Sequence, residues 1–202
     1  MPPDTLNEQT FKLEISSEGD LKVLGGVRAF LMSTSSFSDL MDDFYLVLGE
    51  RFVNARMYMG GRRAGLRTAP ALASLFKVAP SDKAQLEKIF SDVDCTVGWG
   101  RYDFHLDYAT GKGFVLVHHS FLAEGALAKF TENGKMTATA VRDTFPRCAL
   151  LAGYLAGLAS YLLERQVDMQ ETECIVQGHP ACKFEILAHR IHVQNSTSGA
   201  TE

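Results

Sequence analysis

The stretch Glu171-Thr172-Glu173-Cys174-Ile175-Val176-Gln177-Gly178-His179-Pro180-Ala181-Cys182 sets two cysteines on either side of a turn signal. Gly178 and Pro180 favour a reversal over a continuing strand, so the pattern predicts strands over 167–177 and 181–187, folded as a hairpin. Seven residues separate the two cysteines, a gap that can bring their thiols face to face across such a turn. A third cysteine, Cys148, opens the uncharged run 148–163, so three of the four cysteines fall in the last third of the chain. Structural zinc takes four ligands from Cys, His and carboxylate. A thiol at a helix N-terminus is favoured as thiolate. Glu171, Glu173 and His179 compete for the fourth position. The rival reading is three buried cysteines with no metal. The spacing lacks the paired CxxC of a zinc ribbon and leaves both open.

Working outward, Leu151, Leu155, Leu158 and Leu162 form an apolar stripe, and Ala152, Gly153, Ala156, Gly157 and Ser160 are small enough to admit a close neighbour. The uncharged run is shorter than the roughly 20 residues a membrane span needs, so it reads as a buried helix. Upstream, the order is a hairpin (11–15 and 21–24), an apolar run 27–32, and a helix capped by Ser36 with Phe37, Leu40, Met41, Phe44 and Leu48 at helical spacing. Gly49 ends that helix. A second runs from Glu50, weakened at Gly60-Gly61, toward Phe76. A third, opened by Pro80-Ser81-Asp82, ends near Asp92. Residues 93–108 and 114–119 read as a long hairpin, with Gly111-Lys112-Gly113 a turn and not a phosphate loop. Ser120 caps a helix to Phe130. Segregated runs of this kind predict an α+β fold: an antiparallel sheet with packed helices, in one domain over 1–188, followed by a polar tail, 189–202.

The chain has 202 residues, 46% hydrophobic and 22% charged, with a formal net charge of -4. That balance argues against nucleic-acid binding, which leaves a basic excess. No secretory signal is visible at the N-terminus, so the cysteines point to the cytoplasm, and the Asn195 sequon reads as a chance match. Arg56, Arg63 and Arg67 read as a solvated face, and Cys95 as a buried thiol. No nucleophile–base pair, dinucleotide fingerprint or paired carboxylates stand out.

Cys148, Gly153-Tyr154-x-x-Gly157, Glu171-x-x-Cys174 and Gly178-x-Pro180-x-Cys182 together resemble the vinyl-4-reductase domain family, in particular the sensory domains of phenol- and xylene-responsive transcriptional activators. His119-Ser120-Phe121-x-Ala123-Glu124 and Ala64-Gly65-Leu66-Arg67 extend the likeness upstream. The resemblance implies a structural zinc held by Cys148, Glu171, Cys174 and Cys182. It also implies a fold shared with Golgi tethering-complex small subunits and, more distantly, haem nitric oxide sensors, and a homodimer. Beside the zinc it implies an apolar ligand pocket. The phenol sensors anchor the phenol hydroxyl with a His and a Trp; the matching positions here are near Ser91 and at Val117. Val115, Leu158 and Met169 take other pocket positions. Trp99 and His119 are added as candidate ligand contacts from their places beside the long hairpin, although a core role for Trp99 and a solvent-facing His119 are the plainer readings.

The implied function is a cytoplasmic sensor or carrier of a small hydrophobic or aromatic molecule, acting through a dimer or a separate output protein, with no membrane and no direct nucleic-acid contact. Two alternatives follow from the same resemblance: an accessory factor or reductase of tetrapyrrole (bacteriochlorophyll) metabolism, and a ligand-free dimerisation scaffold.

Overall fold

The computed structural model describes residues 14–24, 26–132 and 145–187. The tail 189–202, Phe11 to Leu13 and the segment before Phe145 lie outside the described residues. The fold is α+β, as the element order predicts. Three short strands, β1 (Glu14–Ile15), β2 (Leu21–Val23) and β3 (Val27–Ala29), make a small antiparallel sheet. Three helices follow: α1 (Thr34–Leu48), α2 (Glu50–Leu75) and α3 (Lys83–Thr96). Strands β4 (Arg101–Asp107) and β5 (Lys112–His118) form the central hairpin, followed by α4 (Phe121–Glu132) and α5 (Ala149–Leu162). Strands β6 (Met169–Glu173) and β7 (Cys182–Ile186) complete an antiparallel sheet of order β4-β5-β7-β6.

Helix α5 is the axis of the core. Every residue from Leu151 to Ser160 is buried, which explains why the run is apolar on all sides and not striped. One side meets α2 through glycines on both helices. A Cβ on Gly65 would stand 2.1 Å from the Tyr154 carbonyl oxygen, and one on Gly153 would stand 2.0 Å from that of Tyr58. The backbones therefore touch directly. Gly61 makes the same approach, its absent Cβ falling 1.9 Å from the Leu150 carbonyl oxygen, so there the conformational freedom that weakens a helix at glycine is outweighed by packing, while Gly60 faces open space.

The structure moves several expected boundaries. Helix α1 is capped by Ser33, whose Oγ accepts the Ser36 N–H at 3.1 Å, and not by Ser36. Helix α3 does not end near Asp92 but runs on to Thr96, because Val93 continues the buried face of Leu86, Ile89 and Phe90. That register turns Cys95 out, so the expected buried thiol is exposed. Strand β6 stops at Glu173, four residues short of expectation, at an irregularity in its pairing with β7 between Glu171 and Glu173. Ile175–Gln177 then form a 3-10 turn.

Of the apolar stripe expected on α1, Phe37 and Met41 turn inward, while Leu40, Phe44 and Leu48 stay exposed. Leu46 and Val47 beside them are 85% and 77% exposed, and Phe30 and Leu31 ahead of the helix 76% and 81%. Phe52, Met59 and Leu66 on α2 are exposed as well.

Candidate metal centre and the adjoining core

Cys148 occupies the N-cap position of α5. Glu171 lies on β6, Cys174 immediately after it, and Cys182 opens β7. On a regular strand, residues three apart point to opposite faces. The extra residue in β6 between Glu171 and Glu173 corrects this phase, so that Glu171 and Cys174 serve one site. The turn after Cys174 then folds back: Gln177 N–H reaches Cys174 O at 2.9 Å, and Ile175 N–H points at Cys182 Sγ at 3.5 Å.

One ligand atom from each of Cys148, Glu171, Cys174 and Cys182 lies within 4.8 Å of all the others, and all four residues are buried. The Cys182 sulfur is 3.7 Å from that of Cys148 and 3.8 Å from that of Cys174. A tetrahedral zinc with Zn–S bonds of about 2.3 Å would hold its sulfurs about 3.8 Å apart. Glu171 uses Oε2 to accept the Cys148 N–H at 2.9 Å, while its Oε1 is buried with no hydrogen-bond partner. An orphaned carboxylate oxygen among three sulfurs is a costly arrangement in an apolar core and a natural one beside a cation. The residues thus fit a metal ion.

The electrostatics agree. Burial, then the neighbouring Cys174, pushes the Glu171 carboxyl up to about 9. Burial also raises the Cys148 thiol well above its ordinary value. The Cys174 thiol is instead held far below the ordinary thiol range by hydrogen bonds from Cys148 and Cys182. Burial disfavours negative charge on Glu171 and Cys148, and a cation among them would offset that penalty. The outer contacts orient the ligands: Ser120 Oγ is 3.3 Å from Cys148 Sγ, tying the start of α4 to the cluster. Glu173 and His179, the rival fourth ligands, pair with each other at 3.5 Å and do not belong to the cluster, whereas Glu171 does.

The residues implied as a pocket adjoin this centre. Val117 pairs with Cys182, and Val115 with Phe184. Val115, Val117 and Leu158 have no exposed surface, and Met169 almost none. Trp99 is half-buried between Tyr154 and Phe121, at ring distances of 4.9 and 5.3 Å. His119 does not join them. It follows the end of β5 with a left-handed φ of 57°, and its side chain is 82% exposed and paired with Glu124. His118 bonds Asp103 at 2.9 Å, and His105 stacks on Phe114. Ser91 is buried and accepts the Tyr102 N–H at 2.9 Å. Arg56, Arg63 and Arg67 are exposed. No described helix is long and apolar enough to cross a membrane.

Sequence reasoning missed Asp94, Tyr102 and Tyr154, which share the core beside Trp99. Tyr154 donates to Asp94 Oδ1 at 3.1 Å. Burial raises the Asp94 carboxyl to about 7, against the pull of the Tyr154 and Tyr102 hydroxyls. The signal was available: Val93 extends the Leu86-Ile89-Phe90 stripe by one turn, which places Asp94 on a helix beside the core.

Comparison with known proteins bears out the resemblance. Residues 127–188 match the vinyl-4-reductase domain family. The phenol regulator MopR of Acinetobacter guillouiae is 26% identical over 168 residues, which are 78% of this chain and 27% of MopR. The chain thus spans about a quarter of that relative's length. The crystal structure of the phenol-responsive sensory domain of the transcription activator PoxR, with phenol, superposes with a TM-score of 0.65 at 22% identity, covering 86% of this chain and 83% of that one. A trafficking protein particle complex subunit 3 from Naegleria fowleri superposes with a TM-score of 0.48 at 9% identity, covering 76% and 93%.

Proposed function

We propose that this chain is a zinc-containing sensory or carrier domain that binds a small hydrophobic or aromatic molecule and passes its ligand state to a homodimer partner or a separate output protein. The observation that carries the reading is the closed cluster of Cys148, Glu171, Cys174 and Cys182 at the junction of α5 with the β6–β7 hairpin. Four protein ligands complete a tetrahedron and leave no open position for substrate, the pattern of structural zinc. The ion would fix the ends of α5 and β6, which carry Leu158 and Met169, and the start of β7, which pairs with the strand carrying Val115 and Val117. These four, with Trp99, form the proposed ligand site, in a domain spanning 1–188. Likeness to a phenol regulator supports an aromatic ligand class.

The many exposed large apolar residues ahead of and along α1 and along α2 support the homodimer, because apolar surface left in water favours a partner. Three cysteines serving as metal ligands suit the reducing cytoplasm. Ligand acts through differential affinity for two arrangements of the dimer or partner, since equal affinity for both would shift nothing.

Native mass spectrometry of protein purified without added ligand, followed by denaturing extraction and calorimetry with monocyclic aromatics, tests the reading. A dimer with one zinc per chain that binds an aromatic supports it. A metal-free monomer with no affinity for any aromatic overturns it. A co-purifying pigment would favour tetrapyrrole metabolism, and a zinc dimer that binds nothing would favour a scaffold.

A further inference from the structure

The four candidate metal ligands differ in what lies behind them. Cys148, Cys174 and Cys182 have no exposed surface. Glu171 keeps some surface and lines a cleft of about 340 Å³ between the first turns of α2, the start of α5 and strand β6. Glu50, Asn54 and Tyr58 of α2 form one wall, and Ala149 of α5 and Gln170 of β6 lie opposite. Glu50 and Glu171 are carboxylates, and no described residue lining the cleft is a lysine or arginine. The α2 wall is held in place: the Asn54 side-chain oxygen accepts the Tyr45 hydroxyl at 2.9 Å, and the Tyr58 hydroxyl donates to Asp168 at 2.8 Å and accepts the Met169 N–H at 3.1 Å. The β6 side is held less firmly. Strand β6 is an edge strand, bonded to β7 alone, and its pairing slips between Glu171 and Glu173. A bulged edge opens more readily than a strand paired on both sides, such as β7 with Cys182.

A closed site of four ligands needs an entry path. We propose that this cleft is the path by which the metal ion enters and leaves, and that Glu171 is the ligand that yields. This rests on the metal reading above and deepens it. Three observations meet at Glu171. It borders open space, it sits on the loosest strand of the sheet, and it supplies a carboxylate among thiolates, the donor that suits zinc least well of the set. An outside donor can bond to the ion as the Glu171 oxygen lets go, one bond replacing another, because zinc expands to five ligands in passing. A cleft lined by carboxylates without a cation draws a hydrated divalent ion inward. Its volume is at the lower end of small-molecule sites, about 300–1,000 Å³, so it takes a small chelating molecule and not a folded carrier protein.

The test mixes the zinc-loaded full chain with excess 4-(2-pyridylazo)resorcinol and follows release by the colour of the chelate. Zinc per chain is counted first; a chain that holds none overturns the metal reading and the path with it. In the wild type the release rate is expected to rise in proportion to chelator concentration. Gln170→Trp fills the cleft from an exposed edge position and should slow release by about tenfold or more, with zinc per chain and melting unchanged. Asn54→Trp narrows it from the α2 wall and should act the same way, so a folding defect at one position does not decide the result. Thr172→Trp, on the same strand outside the cleft lining, should leave the rate as it was. Release that neither cleft variant slows overturns the path and leaves the metal reading standing. A wild-type rate that is independent of chelator and equal to the rate of unfolding overturns it as well.

Discussion

The two polar clusters in this core are alike in burial and opposite in design. The cluster of Cys148, Glu171, Cys174 and Cys182 gathers four metal-ligating groups with one orphaned oxygen, Glu171 Oε1. The island of Asp94, Tyr102 and Tyr154 gathers one carboxylate and two phenols, both of which act on Asp94. Both touch α5, the first through its N-cap and the second through Tyr154. A cluster of soft anionic donors is completed by a cation. A cluster of one acid and two hydroxyls is completed by a neutral hydrogen-bonding group. One is therefore suited to holding an ion, and the other to holding a proton on Asp94.

The strongest way to break this contrast is to remove a sulfur. Cys174→Ser removes one of the three sulfurs of the cluster. It is expected to release the ion and cost several kcal/mol of stability, because structural zinc binding is coupled to folding. Zinc content and thermal melting check it; one zinc per chain with unchanged melting would dissolve the distinction between the two clusters.

The second way uses pH. Asp94 has its folded value raised to about 7 from 3.8, chiefly by burial. Tyr102 and Tyr154, which face it, are raised well above their ordinary range and stay neutral. Between about pH 4 and 7 the folded state therefore holds a proton that the unfolded state has lost. Stability contributed by this group falls as pH rises through that window. The full effect is at most roughly 4 kcal/mol, from about three pH units at 1.36 kcal/mol each. Asp94→Asn cannot titrate, so its denaturant midpoint relative to wild type should climb from pH 4 to pH 7. A constant difference would place Asp94 in a wetter setting than the structure shows.

The same contrast explains what could be read from sequence. Cys148, Glu171, Cys174 and Cys182 are rare, chemically distinct residues at short spacings, and their type and order made them legible. The device that makes Glu171 and Cys174 share a face was not, because a bulge inserts one residue without changing composition. The island was obscured by ending α3 at Asp92, which assigned Val93 and Asp94 to a strand. Its members come from three elements, and none is unusual alone. His119 failed for a related reason: alternation applies inside a strand, and β5 ends one residue earlier. The order of helices and strands was readable throughout, because turn residues and apolar periods are local.

Helix α5 links the two clusters, and its seat on α2 sharpens the comparison with the smallest of these effects. Gly65→Ala would place a Cβ 2.1 Å from the Tyr154 carbonyl oxygen, a backbone atom that cannot rotate away. Relief requires α2 and α5 to separate by about an ångström, with an overpacking cost of about 1–3 kcal/mol. The displacement is centred on Tyr154, whose hydroxyl anchors Asp94, and lies a turn and a half along the helix from Cys148. Zinc stoichiometry should therefore hold while the melting temperature falls, since the displacement is taken up beside Tyr154 and not at the N-cap cysteine. Loss of zinc in step with stability would mean that α5 transmits strain along its whole length and that the two clusters act as one.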